Sequence, residues 1–177
     1  MDDKYLISLD DIEFSNRIGE TQNSKTYQSI FLIDYSKCIT KVTYDENHDI
    51  EPKFKEYVQI LENLNHPGII PFLGFSTSSL NEFNQNIIVN KYAILSLQQI
   101  FDKRSNEEDI SWFDPVRQFI IIYGIANTMK YLHEHNIVHE RLIPSNILLN
   151  ENIEPQITDF KLSTFYPEFD FSIPNII

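Results

Sequence analysis

The sequence contains a single cysteine, Cys38. An internal disulfide is therefore excluded, and a reducing compartment, cytosol or nucleus, is expected. Positive charge is also scarce: 14 Lys and Arg stand against 26 Asp and Glu, a formal net charge of −12. That balance disfavours nucleic acid and anionic membranes as partners, because phosphate-rich surfaces attract basic ones. A basic protein or peptide is electrostatically the easier partner. Long apolar runs are missing. The longest, Phe119 to Ala126, is interrupted by Tyr123 and Gly124 and falls far short of the ~20 residues a membrane span requires. Met1 to Lys4 is acidic and no apolar leader core follows, so no secretory signal is expected. Internal repeats and low-complexity tracts are absent. The expectation is a soluble intracellular protein, cytoplasmic or nuclear, with a protein partner, no nucleic acid and no membrane.

What is present reads as globular. The composition is 42% hydrophobic and 13% aromatic, above the range of disordered chains, and 177 residues can bury a sizeable core. Ser29 to Asp34 and Cys38 to Thr43 are β-branched and aromatic runs separated by Tyr35-Ser36-Lys37, which predicts a hairpin. Asp45 to Asp49 reads as a loop. Pro52 suits a first helical position. Phe54, Val58, Leu61 and Leu64 then form one apolar stripe of a helix ending near Asn65, ahead of Pro67 and Gly68. Ile69 to Phe75 and Asn86 to Tyr92 read as strands joined by a polar loop, Ser76 to Gln85. A short helix is expected over Leu95 to Arg104. Asp114-Pro115 opens a long one, with a capping Asp and a Pro just inside. On that helix Val116, Phe119, Ile120, Tyr123, Ala126, Asn127 and Lys130 fall on one mostly apolar face, expected to be the packed one.

His139 to Leu149 reads HERLIPSNILL, and Asp159 follows in ITDFKLS. His139, Leu142 and Asn146 keep the register of H-R-D-L-x-x-x-N, and Asp159-Phe160 that of D-F-G. The chain thereby resembles the protein kinase family along nearly its whole length. It would supply about two-thirds of a complete domain of roughly 250 residues, because it ends at Ile177, shortly after Asp159, without an A-P-E motif. The resemblance implies an α+β, bilobal fold. A small lobe over residues 1–92 would hold five antiparallel strands and one helix. A partial helical large lobe would occupy 93–177, with a hinge near Lys91 to Ala93.

Phosphoryl transfer requires held phosphates, placed metals and an oriented hydroxyl. The resemblance assigns Gly19, Lys41 and the backbone of Lys91 and Ala93 to nucleotide, and Asn146 and Asp159 to magnesium, so ATP and Mg are the implied cofactors. Several positions depart from the family. Thr21 and Ser24 replace the second and third glycines of the phosphate loop and restrict the backbone freedom that glycine gives, so IGETQNSKTY reads equally as a polar hairpin turn. Tyr57 stands where the helix glutamate that pairs with Lys41 is expected. The adjacent Glu56 cannot substitute, since one helical step rotates a side chain by about 100°. Glu140 and Arg141 replace the Arg and Asp of the catalytic loop, and Ile143 a phosphate-contacting lysine. Lys161 replaces the glycine after Phe160.

Arg141 sits at the position of the catalytic aspartate. A guanidinium has no acceptor and stays charged, so it cannot serve as the base. Losing a positioned base removes roughly 10²- to 10⁴-fold in rate, about 3 to 5 kcal/mol of barrier. Arg141 and Lys161 are also cations that compete with metal for Asp159. A zinc site from His133, His135 and His139 is an alternative, without a fourth ligand. Ser163, Thr164 and the aromatic tail FYPEFDF fall where an activation segment would lie, and Ile173 to Ile177 reads as an apolar stub. The functional expectation is a catalytically impaired, pseudokinase-like domain acting by binding, with residual ATP binding. The alternative is an active serine/threonine kinase with divergent motifs.

Overall fold

The computed structural model describes residues 3–45, 50–80, 83–159 and 164–165. The chain divides into two compact units. The first comprises Met1–Asn65 with Ile70–Ala93, and the second His66–Ile69 with Ile94–Ile177.

The first unit is a five-stranded antiparallel sheet with one helix. β1 is Ile12–Thr21, β2 Ser24–Phe31 and β3 Ser36–Asp45. α1 spans Ile50–Asn63, followed by β4, Phe72–Leu80, and β5, Phe83–Lys91. The strand order is β1-β2-β3-β5-β4. Strand alternation sends Cys38 and Val42 to one face of the sheet, where they pack with Ile7, Ile12, Ile87 and Val89. Gly74 is required on this side: a Cβ there would overlap the Ile7 side chain and approach Tyr5 O at 2.5 Å. The other face carries Phe75, whose ring meets Phe54 of α1 edge-on at 6.2 Å. Lys41 pairs with Ile88, and Ile88 with Phe75. Cross-strand partners share a face, so Lys41 lies on the α1 side of the sheet.

Several sequence expectations are corrected here. Ser36 and Lys37 belong to β3 rather than to the turn, which instead uses Tyr35 at φ 57. Most of Ser76 to Gln85 is strand rather than loop: β4 runs to Leu80, β5 starts at Phe83, and these two residues pair, while 81–82 lie outside the described residues. Backbone pairing to a neighbour overrode the polar composition there. Ile69 does not begin a strand of this sheet and instead bridges to Ile157 within the second unit. α1 starts at Ile50, ahead of Pro52. Pro is tolerated there because the first helical N–H groups have no intrahelical acceptor. Of the loop placed at Asp45 to Asp49, residues 46–49 lie outside the described residues.

The second unit begins with β6, Leu95–Ser96, and α2, Leu97–Ser105. Ser96 and Gln99 close a reciprocal capping box on α2. α3 spans Pro115–Glu134, with Asp114 Oδ1 accepting from the Arg117 N–H at 2.8 Å and Pro115 in the first turn, as the sequence predicts. β7 is Ile137–Val138, β8 Ile147–Leu149, β9 Pro155–Ile157 and β10 Thr164–Phe165. The core joins Leu97, Ile100, Phe113, Ile121, Ile147 and Leu149.

The packed face of α3 is not the one the sequence suggested. Ile121, Thr128 and Leu132 are buried, whereas Val116, Phe119, Ile120, Tyr123, Ala126, Asn127 and Lys130 are all exposed, Phe119 by 69%. The helix is apolar nearly all round between Phe119 and Ile125, so periodicity alone could not choose the face. Its neighbours make the choice. Gly124 admits Pro155 of β9, whose Cγ would lie 2.6 Å from an added Cβ, and Gly68 seats against Thr128. The His66–Ile69 segment is tied down by Ile157 N–H donating to Gly68 O at 2.7 Å and by the His66 ring stacked on Tyr131 at 4.7 Å.

Candidate functional site

The loop between β7 and β8 is built around a buried histidine. His139 is fully buried, and its Nε2–H donates to the Thr158 carbonyl at 2.8 Å. That tautomer leaves Nδ1 as an acceptor, which takes the Arg141 N–H at 3.3 Å. Burial pushes the imidazole below its ordinary pKa, against the Thr158 carbonyl and Asp159, which pull it up. His139 is thus a neutral structural bracket between the loop and the strand end at Thr158.

The same Arg141 N–H turns back to the His139 carbonyl at 2.8 Å while Glu140 takes φ 60. A non-glycine residue in this region costs about 1 to 3 kcal/mol, so the surrounding bonds must hold the turn. Glu140 is left on the exposed side. A short 3-10 turn, Pro144–Asn146, follows. Asn146 is buried, its Nδ2 donating to the Arg141 carbonyl at 3.0 Å.

The β8–β9 hairpin then brings the second half of the site round. Ile147 pairs with Ile157, and the Thr158 N–H donates to the Asn146 carbonyl at 3.0 Å. One residue further, Asp159 turns at φ 71. Its carboxylate meets the Arg141 guanidinium, Nη1 to Oδ2, at 3.2 Å, with the Asp159 side chain 10% exposed and Arg141 47%.

A family model described as protein tyrosine and serine/threonine kinase matches residues 12–170. The chain belongs to the protein kinase family. It is 30% identical over 163 residues to a probable LRR receptor-like serine/threonine-protein kinase of Arabidopsis thaliana, covering 89% of this chain and 25% of that protein. It is 29% identical over 167 residues to an Aurora kinase of Saccharomyces cerevisiae, covering 91% of this chain and 42% of that protein. The chain thus spans well under half the length of these relatives. The α+β fold, an antiparallel sheet with α1 in one unit and helices in the other, is that of a partial kinase domain.

Kinases use ATP with magnesium, the metal held by the aspartate of D-F-G and the catalytic-loop asparagine. The sequence resemblance gives those roles to Asn146 and Asp159, whose side chains carry oxygens, but a resident divalent cation does not fit the arrangement. Asp159 Oδ2 is already paired with the Arg141 guanidinium, a cation that would stand beside any metal there; the Asn146 Nδ2 bond to the loop does not involve the oxygen a metal would take. Among the described residues no group of three or more His, Cys, Asp or Glu could hold a metal. The zinc alternative is not realised either: His139 spends both ring nitrogens on the backbone, and His135 Nδ1 bonds the Tyr131 carbonyl at 2.8 Å.

In the first unit, Gly19 lies in β1 opposite Thr26, just past a shift of register between Arg17 and Gly19. Its φ is not positive, and a Cβ would meet Thr26 at an unremarkable 3.6 Å. Thr21 and Ser24 bond hydroxyl to hydroxyl at 2.8 Å across the turn, which spends their polar groups on each other. Lys41 is half-buried in mid-β3. On α1, Tyr57 is buried and Glu56 exposed, so the rotation between neighbours keeps the carboxylate off that face. Lys91 ends β5, its N–H donating to the Pro71 carbonyl at 2.8 Å, and Ala93 is buried. Phe160, Lys161, Ser163 and the tail 166–177 lie outside the described residues, while Thr164 and Phe165 form β10 against Val138 and Ile137. Among the described residues no helix is long and apolar enough to cross a membrane. No residue preference marks Glu140 and Asp159 as the two positive-φ positions of this loop and its partner segment. His139 was legible from its register.

Proposed function

We propose that this chain is a pseudokinase-like domain that does not transfer phosphate and acts by binding, in the cytosol or nucleus, to a basic protein partner. The observation that carries the reading is Arg141. It stands at the position of the family's catalytic aspartate and ion-pairs with Asp159. It can neither accept the substrate proton nor be deprotonated to do so. Glu140 is the neighbouring residue, held at φ 60, and stands out of register with the position that Arg141 fills. The charge of −12 favours a basic partner over nucleic acid or an anionic membrane. Residual ATP binding, through Lys41, Gly19 and the backbone of Lys91 to Ala93, is part of the proposal.

The test is phosphotransfer from radiolabelled ATP to a mixed Ser/Thr/Tyr peptide library. The wild-type chain is expected to match Asp159→Ala and Lys41→Ala at background. Transfer that disappears in both variants would instead establish an active kinase with divergent motifs, the reading that the retained Lys41, Asn146 and Asp159 favour.

A further inference from the structure

We propose that Arg141 is the resident cation of the Asp159 site, so that the chain carries within its own sequence the positive charge that a divalent metal otherwise brings there. The inference deepens the reading above and rests on it for the family position of Asp159.

Three features of the loop support it. The first is the pair itself, at 3.2 Å, with a carboxylate that is nine-tenths buried. A buried carboxylate needs a partner charge, and a guanidinium supplies one at every pH in which the protein folds. The second is that Arg141 is held at both ends of its backbone. Its N–H is bonded to His139 and its carbonyl accepts from Asn146 Nδ2. Asn146 thus braces the arginine's backbone through its Nδ2, a bond that does not involve its amide oxygen, so the exclusion of metal rests on the guanidinium alone. The third is that Glu140, next to Arg141, and Asp159 itself both hold positive φ, in the segments that enter β8 and leave β9 at the open end of the hairpin. A divalent ion at Asp159 would have to displace the guanidinium while remaining beside it, and like charges at that distance repel. The protein has exchanged an exchangeable cation for a covalently tethered one.

The experiment is Mn2+ titration followed by electron paramagnetic resonance, with the full chain and no nucleotide. Four proteins are compared: wild type, Arg141→Asp, Arg141→Gln and Asp159→Asn, each checked for an intact cooperative melt. The wild-type chain is expected to bind Mn2+ no better than Asp159→Asn, which measures the background of this acidic surface. Both Arg141 variants are expected to bind at least tenfold more tightly. Where Arg141→Asp fails to fold, Arg141→Gln carries the comparison. Wild-type binding that is lost in Asp159→Asn would overturn the proposal. So would folded Arg141 variants that bind no better than wild type, since Arg141 would then not be what excludes the metal. Because neither nucleotide nor substrate is present, the outcome is separable from that of the phosphotransfer assay.

Discussion

Arg141 Nη1 lies 3.2 Å from Asp159 Oδ2, joining the two residues that the sequence resemblance aligns with the family's catalytic base and its metal-holding aspartate. The two positions belong to different motifs, and the β8–β9 hairpin makes them neighbours. With Arg141 half-exposed, solvent screens the pair. Arg141→Leu is expected to lower unfolding stability by about 1 to 2 kcal/mol, less than for a fully buried pair. In a double-mutant cycle with Asp159→Asn, the second substitution should remove most of that cost. Urea unfolding of the four proteins measures it.

His139 gives the fold a pH dependence of definite sign. Its folded pKa is lowered by burial, so the unfolded chain takes up the proton first as pH falls. The contribution is complete above about pH 6.5 and declines as pH drops through the folded value. His66 is shifted the same way by burial. Asp34 and Asp109, whose pKa values are lowered from 3.8, act only at lower pH. Unfolding midpoints should therefore fall between about pH 7.5 and 5.5, with a shallower slope in His139→Gln, where the shift of His66 still contributes.

The two sides of α3 should respond oppositely to substitution. Ile122→Glu and Tyr123→Ser, on the exposed side, are expected to change stability by no more than about 0.5 kcal/mol. Leu132→Ala, at a fully buried position, should cost about 2 to 5 kcal/mol. Chemical denaturation separates the outcomes. If the glutamate were the damaging change, the assignment of the packed face would be reversed.

Gly68 is where the His66–Ile69 segment meets α3, and a methyl group there would overlap Thr128 Oγ1. Gly68→Ala is expected to destabilise by about 1 to 3 kcal/mol, as overpacking does. Thr128→Ala in the same chain should recover part of the loss, because it removes the oxygen in the way. A melting comparison of the single and double variants reads this directly.

How much of this was legible in the sequence follows from which forces set each feature. The helix cap at Asp114-Pro115 and the α1 stripe of Phe54, Val58 and Leu61 are local and periodic, and the structure keeps both. The family was legible because His139, Leu142, Pro144, Asn146 and Asp159 agree with its motifs in order and spacing. Two features depended on distant neighbours. The continuation of β4 and β5 through Ser76 to Gln85 is stabilised by partner strands rather than by its own polar residues, and the buried side of α3 is selected by Pro155 and Gly68. The capping box of α2 is local as well, carried by Ser96 and Gln99 in the sequence itself. The sequence placed Arg141 near Asp159 as a competing charge, but their ion pair depends on backbone turns at Glu140 and Asp159 that no residue preference announces.

The most direct test of the central claim, that a tethered arginine rather than a metal ion serves Asp159, is the thermal melt of the full chain with millimolar ATP, in magnesium and in EDTA. A ligand that binds the folded state raises its stability in proportion to RT ln(1 + [L]/Kd). The account predicts that magnesium adds nothing to whatever shift ATP alone produces. A shift that requires magnesium and is lost in Asp159→Asn would contradict it.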